Sequence, residues 1–302
     1  MGLQEITVMR SDTRYSEAIV ARENLDFGLD ESIPKHWFRG DAYKTRYLDA
    51  LQVFFPDGER YFITSLRPFR DRITDPVLQK NVRDFMRQEA QHGIAHTRYN
   101  QLMQAQGIPV TELLAPEKAR LDGYTRRFSP QFNLALTAGF EHFTAMLAFA
   151  FFSRAATASG AEKRMQALLA WHAIEEMEHK SVAFDVMQKV ARVGYWRRAA
   201  AMLFACRVMV VAAYRFTDRF LEADGYGAWQ RARLHLANFL WIYGPRRGVF
   251  GALAPMLLAY FKPGFHPTQL PTIHNYPHWL EAYERSGDPA VACEAMLAAA
   301  YR

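Results

Sequence analysis

The chain has 302 residues, half of them hydrophobic, 14% aromatic and 23% charged, with a net charge of +6. This composition supports a large apolar core and excludes intrinsic disorder, while 17 glycines and 14 prolines exclude a collagenous or low-complexity chain. Cys206 and Cys293, far apart in sequence, make neither a disulfide framework nor a zinc knuckle, and a reducing, cytoplasmic compartment is expected.

The N-terminal arm (1–35) has no apolar run of signal-peptide length, and Ile6 stands where myristoylation prefers Ser or Thr, so neither export nor that lipidation is expected. A helix is predicted from near Asp41 toward Phe55. Pro56 breaks it, and Asp57-Gly58 restart a helical stretch through Glu59 to about Leu66. A second helix is expected over 76–105, closed by Gly107 and Pro109. The third covers 130–158, entered through Ser129-Pro130, and the fourth 161–192, ending at Gly194. Two further apolar helices, 196–222 and 228–260, precede a Pro-rich tail that begins KPGFHP (262–267).

No linker and no solenoid repeat divides the chain. The expected organisation is an arm (1–35), a helical bundle (36–194), and apolar, basic helices with a tail (195–302) packed on the bundle as one domain. The fold class is all-α, with the first four long elements forming an antiparallel bundle.

The positive charge is local. Between Trp196 and Arg247 stand nine arginines, no lysine and three acids. The same segment holds the run AAAMLFACRVMVVAAY (199–214). An apolar, basic stretch suits a buried core helix, a partner helix or a membrane surface better than nucleic acid, and Arg207 interrupts the longest run before membrane-spanning length. Two readings of 196–260 stay open. It docks peripherally on the inner membrane surface, or it caps the bundle as a channel wall or homodimer interface.

Two helices contain Glu-x-x-His: Glu89-Ala-Gln-His92 and Glu176-Met-Glu-His179. Alone the motif is weak. Glu59 and Glu141, however, each precede one of them by roughly 30–35 residues, the length of a helical hairpin at 1.5 Å per residue. Four carboxylates and two imidazoles therefore reach one depth in a bundle, the arrangement of di-iron carboxylate proteins. Within 131–152 Glu141 is the one formal charge, and a lone carboxylate in such a run needs a partner, a proton or a metal. His172, one turn before Glu176, and His96, one turn after His92, share the ligand faces as extra ligands, hydrogen-bond partners or catalytic bases. His142 points away from Glu141 and reads as a supporting or ordinary buried histidine. Glu175 and Glu178 read as a solvated face pairing with Lys180 or nearby arginines. Phe85, Phe140, Phe143 and Phe149 would wall the site from water. An oxygen and nitrogen donor set favours iron or manganese over zinc.

The segments IPKHWFRGD (33–41), FPDGERYF (55–62), RQEAQHGIAH (87–96), GFEHFTA (139–145), WHAIEEMEHKSVAFDV (171–186) and KPGFHP (262–267) resemble the bacterial family catalogued as predicted metal-dependent hydrolases, over about 30–270. The ligand pattern is similar to the ferritin-like di-iron superfamily, which implies a ferritin-like four-helix bundle with additional C-terminal helices. It also implies Glu59, Glu89, His92, Glu141, Glu176 and His179 as ligands of two iron ions. The string His172-x-x-x-Glu176-x-x-His179 is similar to the arylamine N-oxygenases and implies His172 as a seventh ligand. The KPGFHP tail and the basic, apolar helices depart from that group, so an arylamine substrate does not carry over.

Three functions are weighed. The first is a di-iron oxidoreductase activating dioxygen to oxidise a small or acyl-chain, lipid-like substrate with an external electron donor. The second is a metal-dependent hydrolase using a metal-bridging hydroxide, with a carboxylate or His172 as base. The third is iron binding or storage, for which the residues beyond Gly194 have no evident use.

Overall fold

The computed structural model describes residues 18–153, 158, 160–245 and 248–299. Residues 1–17 of the expected arm and 154–157 of the expected third helix lie outside them. The chain is all-α: among the described residues there is no strand, only a lone bridge between Phe38 and Ala161.

Short polar caps start the helices. Asp41 accepts from the Lys44 amide at the head of α1 (Ala42–Gln52). Then α2 (Phe55–Arg70) takes Pro56 into its first turn, where a missing N–H leaves no helical bond unmade. Asp75 caps α3 (Pro76–Ala105), which ends before Gly107 at φ 93°. Ser129 caps α5 (Pro130–Phe152), and Glu162 caps α6 (Lys163–His179). Between α3 and α5 runs α4 (Val110–Arg127), a helix the sequence reading passed over.

Contacts along the helices give their directions. Gly93 of α3 meets Glu59 and Pro56 of α2. Ser65 of α2 bonds Thr137 of α5, while Phe55 and Thr144 line one pocket. His96 reaches His172, and Gln88 reaches His179. Each of α2, α3, α5 and α6 is therefore antiparallel to its neighbours in a four-helix arrangement. That makes α3 and α5 parallel, and α4 is the return they need.

Several expected elements differ. The third helix ends at Phe152, and the fourth at His179, followed by the short α7 (Val182–Asp185) and a π-helical turn, Val186–Val190. The 29-residue α8 (Tyr195–Ala223) packs across α1 and α5. The expected helix 228–260 is broken into α9 (Ala228–Ala237), α10 (Phe239–Tyr243), a 3-10 turn (Gly251–Leu253) and α11 (Ala254–Ala259). The chain folds back on itself there, and a Cβ on Gly251 would collide with the carbonyl of Tyr243. The expected Pro-rich tail carries α12 (Tyr276–Ser286) and α13 (Pro289–Ala299), a hairpin packed with α13 on α6.

Among the described residues two helices, α5 and α8, are long and apolar enough to cross a membrane by length and composition, since α8 tolerates Arg207. The apolar window of α5 is 89% buried in this fold, as a core helix is, but that of α8 only 33%.

The core is divided. One apolar cluster holds Phe85, Phe143 and Val182, the other Ala95, Ala145 and Met177. On α3, on α5 and between α6 and α7 the passage from one cluster to the other falls at the same level. The polar residues of the candidate site fill it.

Candidate metal centre

At this level α2 supplies Glu59, α3 Glu89, His92 and His96, α5 Glu141, and α6 His172, Glu176 and His179. All are buried, none more than 5% exposed. All of them except His96 fall into three overlapping groups whose ligand atoms lie within 4.8 Å of one another: Glu59, His92 and His172; Glu89, His92 and Glu176; Glu89, Glu141 and His179. The Nε2 atom of His179 stands 3.2 Å from Glu89, 3.4 Å from Glu141 and 3.5 Å from Glu176.

Most of these inward atoms have no hydrogen-bond partner in the chain. Both carboxylate oxygens of Glu59, Glu89 and Glu141 lack one, as do Glu176 Oε2, His92 Nδ1 and His179 Nε2. Such a group of buried polar atoms is costly unless something binds it. Burial, together with the negative charge of Glu176, raises the proton affinity of Glu59. Burial, then Glu141 and Glu176, raises Glu89, and burial, then Glu176 and Glu59, raises Glu141. Burial also pushes Glu176 up, but His179 and the hydrogen bond from His172 outweigh it and hold Glu176 below the usual range. Divalent cations are the natural neutralising partners for this donor set. Neither cysteine is among the grouped donors, so thiolate chemistry has no part in it.

The outward ring nitrogens are held in turn. His92 Nε2 lies 3.1 Å from Glu175 Oε2, and His179 Nδ1 lies 2.9 Å from Gln88 Oε1. Gln88 donates to Glu178 at 2.7 Å, and Trp171 Nε1 donates to Glu175 at 2.9 Å. A histidine so anchored presents one fixed nitrogen to a metal. This overturns the solvated reading of Glu175 and Glu178, which are 0% and 5% exposed. Their charge is met by Arg22, at 3.1 Å from Glu175 and 2.7 Å from Glu178, with its guanidinium over the Trp279 ring. Burial outweighs Arg22 at Glu175 and raises its pKa to about 7.

His96, His172 and Glu176 form a chain. His172 Nε2 donates to Glu176 Oε1 at 2.9 Å in the arrangement the network dictates, which leaves His172 Nδ1 to accept from His96 Nε2 at 2.7 Å. Phe55 packs against both rings. Burial, then the neighbouring His172, lowers the pKa of His96. His142 lies apart, its Nε2 on the Met256 carbonyl and its ring between Tyr260 and Phe265 of the KPGFHP segment. Burial lowers its pKa to about 4. It anchors the C-terminal segment to α5.

Of the four expected aromatic walls, Phe85 packs on His179 and Phe140 lines a cavity beside Glu59. Phe143 lies in the apolar core, and Phe149 is half-buried beside Val249 and Leu253. Sequence reasoning missed Phe55, Trp171, Gln88 and Arg22. Gln88 is flagged only by its place beside Glu89, and nothing local marks Arg22.

Two cavities open on the centre, sharing Leu51, Phe55, Thr144 and Glu176. One runs past Glu59 between α2, α4, α5 and α8 to Arg120 and Tyr124; the other runs past His172 into apolar side chains of α1 and α5.

A family described as predicted metal-dependent hydrolase matches the chain over residues 21–270. No curated protein and no solved structure gives a match.

Proposed function

Because the chain belongs to the family of predicted metal-dependent hydrolases, we propose that it is a two-metal enzyme hydrolysing an apolar small-molecule or lipid-like substrate. The observation that carries this reading is the convergence of unpartnered carboxylate oxygens and ring nitrogens at one buried level, beside two apolar cavities. Glu89, Glu141 and His179 would hold one cation, and Glu59, His92 and His172 the other, with Glu176 as a further carboxylate donor. Two iron ions are the proposed occupants, with manganese as the alternative, since carboxylate and imidazole donors without thiolate suit both. When bound, the ions supply Lewis-acid polarisation of substrate and water.

The remaining work belongs to the chain. Glu175 and Gln88 fix the two ring orientations, and the apolar walls exclude bulk water. Where His172 is not bound to metal, it moves a proton between Glu176 Oε1 and His96.

A second reading, oxidation by dioxygen with an external electron donor, is favoured by the four-carboxylate, histidine donor set, which matches the di-iron bundle pattern. One experiment separates the two. Protein loaded with manganese or iron is assayed on p-nitrophenyl esters of increasing chain length under nitrogen, and then with air and a reductant. Ester cleavage under nitrogen supports hydrolysis. Turnover of an apolar substrate only with air and reductant replaces it by oxidation, and protein that takes up no metal overturns both.

We propose also that the face of α8 to α10 rests on an anionic lipid surface. Trp196 and Leu203 with Arg207, and Trp229, Leu236 and Leu240 with Arg233, stand exposed at helical spacing.

A further inference from the structure

Gln52 ends α1 and lines the cavity that runs past His172. It is 2% exposed, and neither its Nε2 nor its Oε1 has a hydrogen-bond partner in the chain. Of the other polar groups of this cavity, Thr144 donates to the Glu141 carbonyl and His172 pairs with Glu176 Oε1, while the unpartnered Glu176 Oε2 belongs to the candidate metal centre. The remaining walls are apolar, among them Leu48, Leu147 and Phe151. A purely structural side chain here would be Leu or Met, which fill the same space without burying an unpaired amide.

We propose that Gln52 is the polar anchor of a substrate subsite. Its ligand has an apolar body and a group that offers a donor and an acceptor side by side, as a carboxamide or an undissociated carboxylic acid does. The ligand's donor faces Oε1 and its acceptor faces Nε2, while the apolar body passes Leu48 and Phe55 toward His172 and Glu176. This names the substrate class of the metal centre and rests on that reading for its catalytic meaning, though not for binding.

The test is calorimetric binding of octanamide and N,N-dimethyloctanamide, which share an apolar chain but differ in the amide donor, to metal-loaded and to chelator-treated protein. The wild type binds octanamide at least about tenfold tighter, the worth of one buried hydrogen bond with its partner otherwise unpaired. Gln52→Met and Gln52→Leu abolish the preference. Equal binding of the two amides by the wild type overturns the proposal without any variant, as does a preference that survives in either substitution. Octanoic acid preferred over octanamide below pH 5 alone assigns the site to the undissociated acid. If no metal is taken up and the preference holds, the metal reading falls and the subsite stands. If metal-dependent turnover is found without the preference, the subsite alone falls.

Discussion

Arg22 Nη2 lies 2.7 Å from Glu178 Oε1, and its Nη1 lies 3.1 Å from Glu175, so one arginine of the N-terminal segment joins both carboxylates that flank Glu176. The backbone follows it, since the amides of Val20 and Arg22 donate to Glu178 and Glu175. Through Glu175 to His92, and through Glu178 and Gln88 to His179, this pair sets the rings that face the centre. Arg22→Ala leaves two buried carboxylates uncompensated. The expected result is a loss of about 3–5 kcal/mol in stability and a 10- to 100-fold loss in metal affinity. Urea unfolding and competition with a chromogenic chelator measure the two. Arg22→Lys, lacking the fork, is expected to recover only part of either.

Glu141→Gln removes one carboxylate from a mutually repelling set without changing its volume. Metal content falls by at least one ion per chain, as read by mass spectrometry of the protein's metals. The metal-free protein becomes more stable by about 1–2 kcal/mol, because the neutral amide is easier to bury. Unchanged metal content would remove Glu141 from the ligand set.

Stability at low pH rests partly on Asp224. Burial pushes its pKa up, but hydrogen bonds from Arg46 and Lys35 prevail and hold it below the usual carboxylate range. A carboxylate with a depressed folded pKa contributes stability above its unfolded value, near pH 4, and that stability is lost as pH falls toward the folded value. Urea midpoints of the wild type therefore decline below about pH 4. Asp224→Asn lowers stability at pH 7 and flattens that acid decline by up to one proton.

The exposed stripe of α9 and α10 offers a test of lipid contact. Leu236→Ser with Leu240→Ser is expected to reduce co-sedimentation with phosphatidylglycerol vesicles about fivefold or more, with no change in thermal stability. Equal sedimentation of wild type and variant would remove the lipid surface from the account. Arg197→Glu is a suitable charge probe, but Arg198 is not. Arg198 is buried, donates to the Lys262 carbonyl and lies over Phe184 and Tyr260, so its loss would be structural.

Much of the fold was legible because helix signals are local. Asp75-Pro76 and Gly107 mark both ends of α3, and Ser129-Pro130 marks the start of α5. The passed-over α4 has two prolines near its head, Pro109 at its cap and Pro116 inside, and few residues buried, so its apolar period is faint. The tail helices α12 and α13 were hidden behind the prolines of 263–277, and the break of 228–260 behind glycines whose role lies in a backbone fold-back.

By itself the sequence determined that the chain is helical and that four glutamates and two histidines recur at the spacing of helical hairpins, because rise per residue converts sequence separation into height. It took the packed chain to set what compensates Glu175 and Glu178, that His142 turns away to the Met256 carbonyl, and that Gln52 is buried without a partner. Those outcomes depend on which distant segment arrives opposite a side chain. Helical periodicity orders a face, but burial and charge compensation are properties of what is packed against it.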